Sequence, residues 1–168
     1  SIKNIGAFSG KEVVQLYLSK PSNKLSNTKI ELVAFNKSKE IKPQQLDKLQ
    51  LSFNLADFAS YDEEESSYIL ERGEYLLQLG NSSDSLEKIL VMVLEEDLVI
   101  SKHQAICKKV AEFNELKTYC INDTLGVKRY ILDTSYLETK VFNYDYEPQY
   151  TDSKVRNFVY KLTTSEMA

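Results

Sequence analysis

From residue 10 to 94, apolar and polar positions recur with a period of two, as they do in a strand whose side chains point to opposite faces. In residues 12–18, Val14, Leu16 and Leu18 share one face while Val13, Gln15 and Tyr17 share the other. Residues 29–35 repeat the pattern, with Ile30, Leu32 and Ala34 opposite Glu31, Val33 and Phe35. The cleanest alternation lies at 48–55. There Leu49, Leu51, Phe53 and Leu55 point one way and Lys48, Gln50, Ser52 and Asn54 the other, which predicts a half-exposed antiparallel strand. Further strands are predicted at 68–70 and 75–79, separated by Arg72-Gly73. Residues 86–94 are apolar on both faces, as in a strand covered on both sides. Turn-like spacers occupy 19–26, 36–39, Pro43-Gln44-Gln45 and 80–85. Short strands with such spacers, and no helix long enough for a crossover, indicate an antiparallel β-sandwich.

Beyond about residue 100 the period changes. Ser101 is placed to cap a helix carrying Ile106, Val110 and Phe113 on one face, with Lys108, Lys109, Glu112 and Lys117 on the rest. A strand-like piece at 127–132 precedes a stretch rich in aromatics: Tyr136, Phe142, Tyr144, Tyr146 and Tyr150. A second amphipathic helix is predicted over 153–162, through Val155, Phe158, Val159 and Leu162. The chain therefore divides into a sandwich, 1–100, and an irregular α/β extension, 101–168. Both ends read as interrupted. Ile2 and Asn4-Ile5-Gly6 resemble the second half of a strand whose first half is missing, and Thr163 with Glu166 forms a capping box with no helix after it. The expectation is a piece of a longer polypeptide.

Composition narrows the chemistry. The 168 residues are 42% hydrophobic and 27% charged, a globular balance, with only 5 Gly and 3 Pro. A net charge of -4 offers no basic excess for nucleic acid. The longest apolar run, 89–94, is far short of the roughly 20 residues that span a bilayer, so no membrane partner is expected. The N-terminus lacks the basic-then-apolar pattern of a secretion signal. Cys107 and Cys120 are too few for a disulfide framework.

Catalytic groups are sparse. His103 is the only histidine, so a Ser-His-Asp or Cys-His site would have to use it; its setting reads as a solvent-facing side chain on a helix's first turn. One His and two distant Cys do not supply a zinc pattern, and no Gly-rich loop for a phosphate cofactor occurs. The run Asp62-Glu63-Glu64-Glu65 is acidic, but glycosidic cleavage needs two carboxylates about 5 to 10 Å apart across a bond. Neighbouring acids in a hydrophilic loop are expected to be solvated, with no burial to raise a pKa. No catalytic, cofactor or metal residue is assigned. The tyrosines fit packing against protein better than ligand binding, although rings can also stack on sugar faces.

The strand segments resemble a known family. Gly10-Lys11-Glu12-Val13-Val14-Gln15-Leu16-Tyr17-Leu18 is similar to the G-x-E-V-V-Q-L-Y-V signature of the fibronectin type III-like domain in glycoside hydrolase family 3. Glu31-Leu32-Val33-Ala34-Phe35 resembles its K-E-L-K-G-F segment, and Leu55-Ala56-Asp57-Phe58-Ala59-Ser60-Tyr61-Asp62 its D-L-A-x-Y-D segment. Gly73-Glu74-Tyr75 and Gly80-Asn81-Ser82-Ser83-Asp84 follow P-G-x-Y and V-G-x-S-S-x-D, all in the family's order. Ala34, Gln44 and Arg72 depart from the family's Gly, Gly and Pro. The resemblance implies structural roles for Tyr17, Phe35, Asp57, Tyr61, Gly73 and Tyr75. Leu70, Gly73 and Tyr75 also have the spacing of a tyrosine corner, where the hydroxyl bonds back to the chain.

For the parent, the resemblance implies a retaining β-glucosidase-like enzyme whose cutting residues lie in other domains. The segment Leu162-Thr163-Thr164-Ser165-Glu166-Met167-Ala168 is similar to the L-T-x-E-E-K opening of the barrel domain, which implies a reversed domain order. The implied function is a non-catalytic accessory domain, with the catalytic domains of the same polypeptide as partners and a β-glucoside or oligosaccharide as substrate of the parent alone. The rival is a carbohydrate-binding or adhesion-type sandwich acting alone. An open row of aromatics on a sheet face favours the rival, and aromatics covered by the extension favour the accessory role.

Overall fold

A computed structural model describes residues 1–103, 124–137, 139–141 and 153–154. Its strands are β1 (Ile2–Lys3), β2 (Val13–Ser19), β3 (Glu31–Lys37), β4 (Leu46–Asp47), β5 (Ser60–Asp62), β6 (Ser67–Leu70), β7 (Gly73–Ser82), β8 (Ser85–Leu94), β9 (Leu98–Lys102), β10 (Arg129–Ile131) and β11 (Lys140–Val141). They form a five-stranded sheet in the order β10-β8-β7-β2-β3, a four-stranded sheet β11-β9-β6-β5, and the short pair β1-β4.

The core follows from side-chain parity. Leu16 and Leu18 of β2, Tyr75 and Leu77 of β7, and Met92 and Leu94 of β8 lie two residues apart on their strands, so each pair falls on one face. Leu70 and Ile100 of the second sheet and Leu55 complete the same buried cluster. Each such side chain contributes about 1.5–3 kcal/mol of apolar burial, which holds the two sheets face to face. The opposite face of the larger sheet is closed at Leu76 and Val91, which pair in register and are fully buried. The prediction of a strand covered on both sides thus holds for the end of β8, whereas Glu87, Lys88 and Ile89 are exposed.

Three expectations need correction. Residues 48–54 are in no ladder, although the alternation there is obeyed in burial: Leu49, Leu51 and Phe53 face inward and Lys48, Gln50, Ser52 and Asn54 outward. Period two reports which way side chains point, and the partner strand is decided elsewhere. The segment then closes into a 3-10 turn at Leu55–Phe58, capped by the Asn54 side chain, which accepts from the Ala56 amide. The spacer read at 80–85 is a tighter hairpin, because Ser82 pairs with Ser85 and the loop is Ser83-Asp84 alone. Gly80 is required in that ladder, since a Cβ there would collide with the backbone of Ser85. Ser101 is not a helix cap: it lies in β9, and the boundary placed at residue 100 falls inside that strand.

The extension joins both sheets. β10 pairs with β8 and β11 with β9, each in parallel, so the otherwise antiparallel sandwich gains two parallel edge strands. Parallel neighbours need a long crossover, which residues 95–128 and 103–139 are long enough to provide. The expected helix through Ile106, Val110 and Phe113, Cys107 and Cys120, the aromatics from Phe142 to Tyr150, and the terminal capping box lie outside the described residues. Of the second expected helix only Ser153 and Lys154 are described, and both are helical.

Candidate functional site

The acidic run occupies the β5–β6 hairpin. Asp62 is only 2% exposed, against the expectation of a solvated carboxylate. One of its oxygens accepts from the amides of Glu64 (3.0 Å) and Glu65 (3.4 Å), and the other meets the Lys24 ammonium at 2.7 Å. Lys24 also reaches Glu64 at 2.9 Å. The Lys24 hydrogen bond, ahead of the backbone donors, holds the Asp62 carboxyl below its ordinary value despite burial. A group held ionised in this way has no proton to give at neutral pH. Asp62 is therefore a latch between the loop after β2 and the hairpin.

The other site residues fall into two groups. Tyr75 and Gly73 are internal. The Tyr75 side chain is 1% exposed and its hydroxyl donates to the Glu71 carbonyl at 2.7 Å. Burial, with the charges of Glu71 and Asp97 adding, pushes its pKa well above the ordinary value. Gly73 has φ 137, a conformation that suits glycine, and a Cβ there would press on Pro21. Tyr17 is half-buried on β2 and donates to Gln15 Oε1 at 2.6 Å. The remaining three are open to solvent to differing degrees. Phe35 is 69% exposed on β3, an edge strand. Asp57 is exposed on the 3-10 turn and accepts from the Asn54 amide at 3.2 Å. Tyr61 and Tyr68, two-fifths exposed, pair across β5 and β6 with ring centroids 5.1 Å apart.

His103 extends that row, edge-on to Tyr68 at 5.4 Å. It directly follows β9, and its Nε2 lies 2.8 Å from Ser101 Oγ. The contact joins a strand hydroxyl to the imidazole two residues on, just past the strand's end, and it holds the ring at the wall of a cleft. That cleft, of about 650 Å³, is lined by Asn54, Asp57, Tyr68, His103, Tyr136 and Lys140, with Ile100 also in its lining. Among the described residues no group of His, Cys, Asp and Glu could hold a metal ion. No helix among them is long and apolar enough to cross a membrane.

Sequence reasoning missed the cationic partners. Lys20 is buried and donates to the Phe58 carbonyl (3.0 Å) and Ser60 Oγ (3.1 Å), with Glu31 3.1 Å away. Glu74 of β7 binds Arg129 at 2.7 Å and Thr124 at 2.9 Å, fastening the extension to the outer face of the larger sheet. The Thr124 hydrogen bond, then Arg129, lowers the Glu74 pKa.

Comparison with known proteins places this framework. Residues 12–83 match the model of the fibronectin type III-like domain. Those residues are a fibronectin type III-like domain. The chain is 31% identical over 120 residues to a β-glucosidase of Ruminococcus albus, covering 68% of this chain and 13% of that one. A solved β-glucosidase from Paenibacillus barengoltzii superposes with a TM-score of 0.59 at 35% identity, covering 62% of this chain and 12% of that one. β-Glucosidase 3B from Thermotoga neapolitana gives 0.53 at 30% identity, with 58% and 13% covered. The chain thus spans about an eighth of the length of these relatives, and the likeness concerns their small domain alone.

Proposed function

We propose that this chain is a non-catalytic accessory domain of a β-glucosidase-like glycoside hydrolase, bracing the catalytic domains of the same polypeptide. The observation that carries this reading is apolar surface left uncovered. Ile5, Phe8, Leu46 and Phe35 are between 65% and 87% exposed. Ile5, Phe8 and Leu46 belong to one neighbourhood, because the Asn4 amide binds Gln45 and its side chain binds the Phe8 carbonyl. Large apolar side chains left exposed in one neighbourhood mark an interface. The small share of the relatives' length supports the same reading.

The parent would cleave β-glucosides, and this domain would contribute none of the cutting groups. Purified chain given an aryl β-glucoside is expected to show no turnover above background; clear turnover refutes the reading. In the full polypeptide, Phe8→Ser with Phe35→Ser is expected to loosen the attachment of this domain while leaving the isolated chain's stability nearly unchanged. Equal stability of the parent and its variant in calorimetry would count against bracing. One observation favours the binding-module reading as well: the pair Tyr61 and Tyr68 is open on a sheet face, with half-buried His103 against Tyr68.

A further inference from the structure

We propose that the cleft between the 3-10 turn and β9 is a saccharide-binding site in its own right, for a neutral oligosaccharide. Its volume of about 650 Å³ lies within the range of small-molecule sites. Tyr68 and Tyr136 supply ring surface to its lining. The Tyr68 ring contacts Tyr61 at 5.1 Å and His103 at 5.4 Å, both at steep interplanar angles rather than stacked, and these contacts restrict its motion as a platform. Such a platform suits the C–H face of a pyranose.

The polar groups are also held in place. Asn54 and Asp57 sit on one tight turn and bind each other at 3.2 Å, and His103 is oriented by Ser101 at 2.8 Å. An amide, a carboxylate, an imidazole and the Lys140 ammonium thus line a single concavity. One carboxylate set against one ammonium leaves little net charge, which disfavours anionic or cationic ligands. A polyhydroxyl ligand with apolar faces and hydroxyl edges matches rings combined with fixed donors and acceptors. This site does not depend on the bracing role, since its residues are distinct from Ile5, Phe8, Leu46 and Phe35.

The test is an NMR titration of the isotope-labelled chain with cellotetraose and, separately, with sodium sulfate. Saturable shifts are expected at Asn54, Tyr68 and His103 with the sugar. Tyr136→Ala, a change at a largely exposed ring, should weaken binding at least threefold, as should Asp57→Asn. Tyr130→Ala, an exposed tyrosine outside the cleft, should bind as the unchanged chain does. Superimposable spectra of the free proteins establish that folding is intact. The absence of saturable shifts up to about 10 mM sugar overturns the proposal, being weaker than the millimolar end of specific binding. So do equal shifts of the same amides by sulfate, or unaltered affinity in Tyr136→Ala.

Discussion

Replacing Tyr75 with Phe isolates one hydrogen bond inside the sandwich. The ring is 1% exposed and stays buried in the variant, so no apolar surface is lost. What disappears is the 2.7 Å bond from the hydroxyl to the Glu71 carbonyl, in a residue that is itself buried. Leaving a buried acceptor without that donor costs about 1–3 kcal/mol. For a chain of this length that corresponds to a fall in Tm of about 2–4 °C per kcal/mol. Tyr75→Ala removes the ring too and should cost about 3–5 kcal/mol for the lost apolar burial and the cavity together, so the two variants separate the bond from the packing.

A pH arm sharpens the same prediction. The unfolded chain releases the phenolic proton near pH 10, whereas the buried hydroxyl keeps it to a higher pH. Above pH 10 the native state therefore binds more protons than the unfolded one, and stability falls as pH rises. Tyr75 contributes at most about 1.4 kcal/mol of that loss per pH unit. Tyr75→Phe lacks the contribution, so its deficit against the unchanged chain should shrink between pH 10 and 12. Urea denaturation at pH 7, 10 and 11.5 measures both effects. A deficit below about 0.5 kcal/mol at pH 7, the low end for a net hydrogen bond, or one that does not vary with pH, refutes the reasoning.

Two further substitutions probe the frame. Gln44 occupies φ 65, in the left-handed region, where the related family carries Gly; Gln44→Gly should stabilise the chain by about 0.5–1 kcal/mol in thermal denaturation, since relieved backbone strain exceeds the added chain entropy. Arg129→Ala removes a partly exposed partner of Glu74 and should cost a few tenths to about 1 kcal/mol at neutral pH. Because the Glu74 pKa is lowered in the fold, its contribution is present above the unfolded value near 4.5 and fades as pH falls below it. The gap between Arg129→Ala and the unchanged chain should accordingly narrow between pH 5 and 3 in urea titrations.

Where the alternation is backed by a partner strand, as in 13–19 and 73–79, its face assignment and the ladder coincide. At 48–54 they part: the inward residues are those expected, but the main chain makes no ladder, and no local signal distinguishes the two cases. Asp62 shows the converse. Its place in a run of acids suggests solvation, yet Lys24, 38 residues away, meets it and lets it be buried. The fastening of Glu74 by Arg129, 55 residues on, is equally invisible to any pattern read along the chain.

The sequence by itself determined the β character, the inward faces of most strands, the corner at Tyr75 and the kinship of residues 12–83, because these depend on neighbours one to four positions apart or on whole segments. Only the tertiary structure decided which strand pairs with which, that the extension adds parallel edges to both sheets, which charges are buried against which cations, and that Asn54, Tyr68, His103 and Tyr136 surround one cleft. Those relations join residues far apart in the chain, and a one-dimensional period carries no information about distances across it.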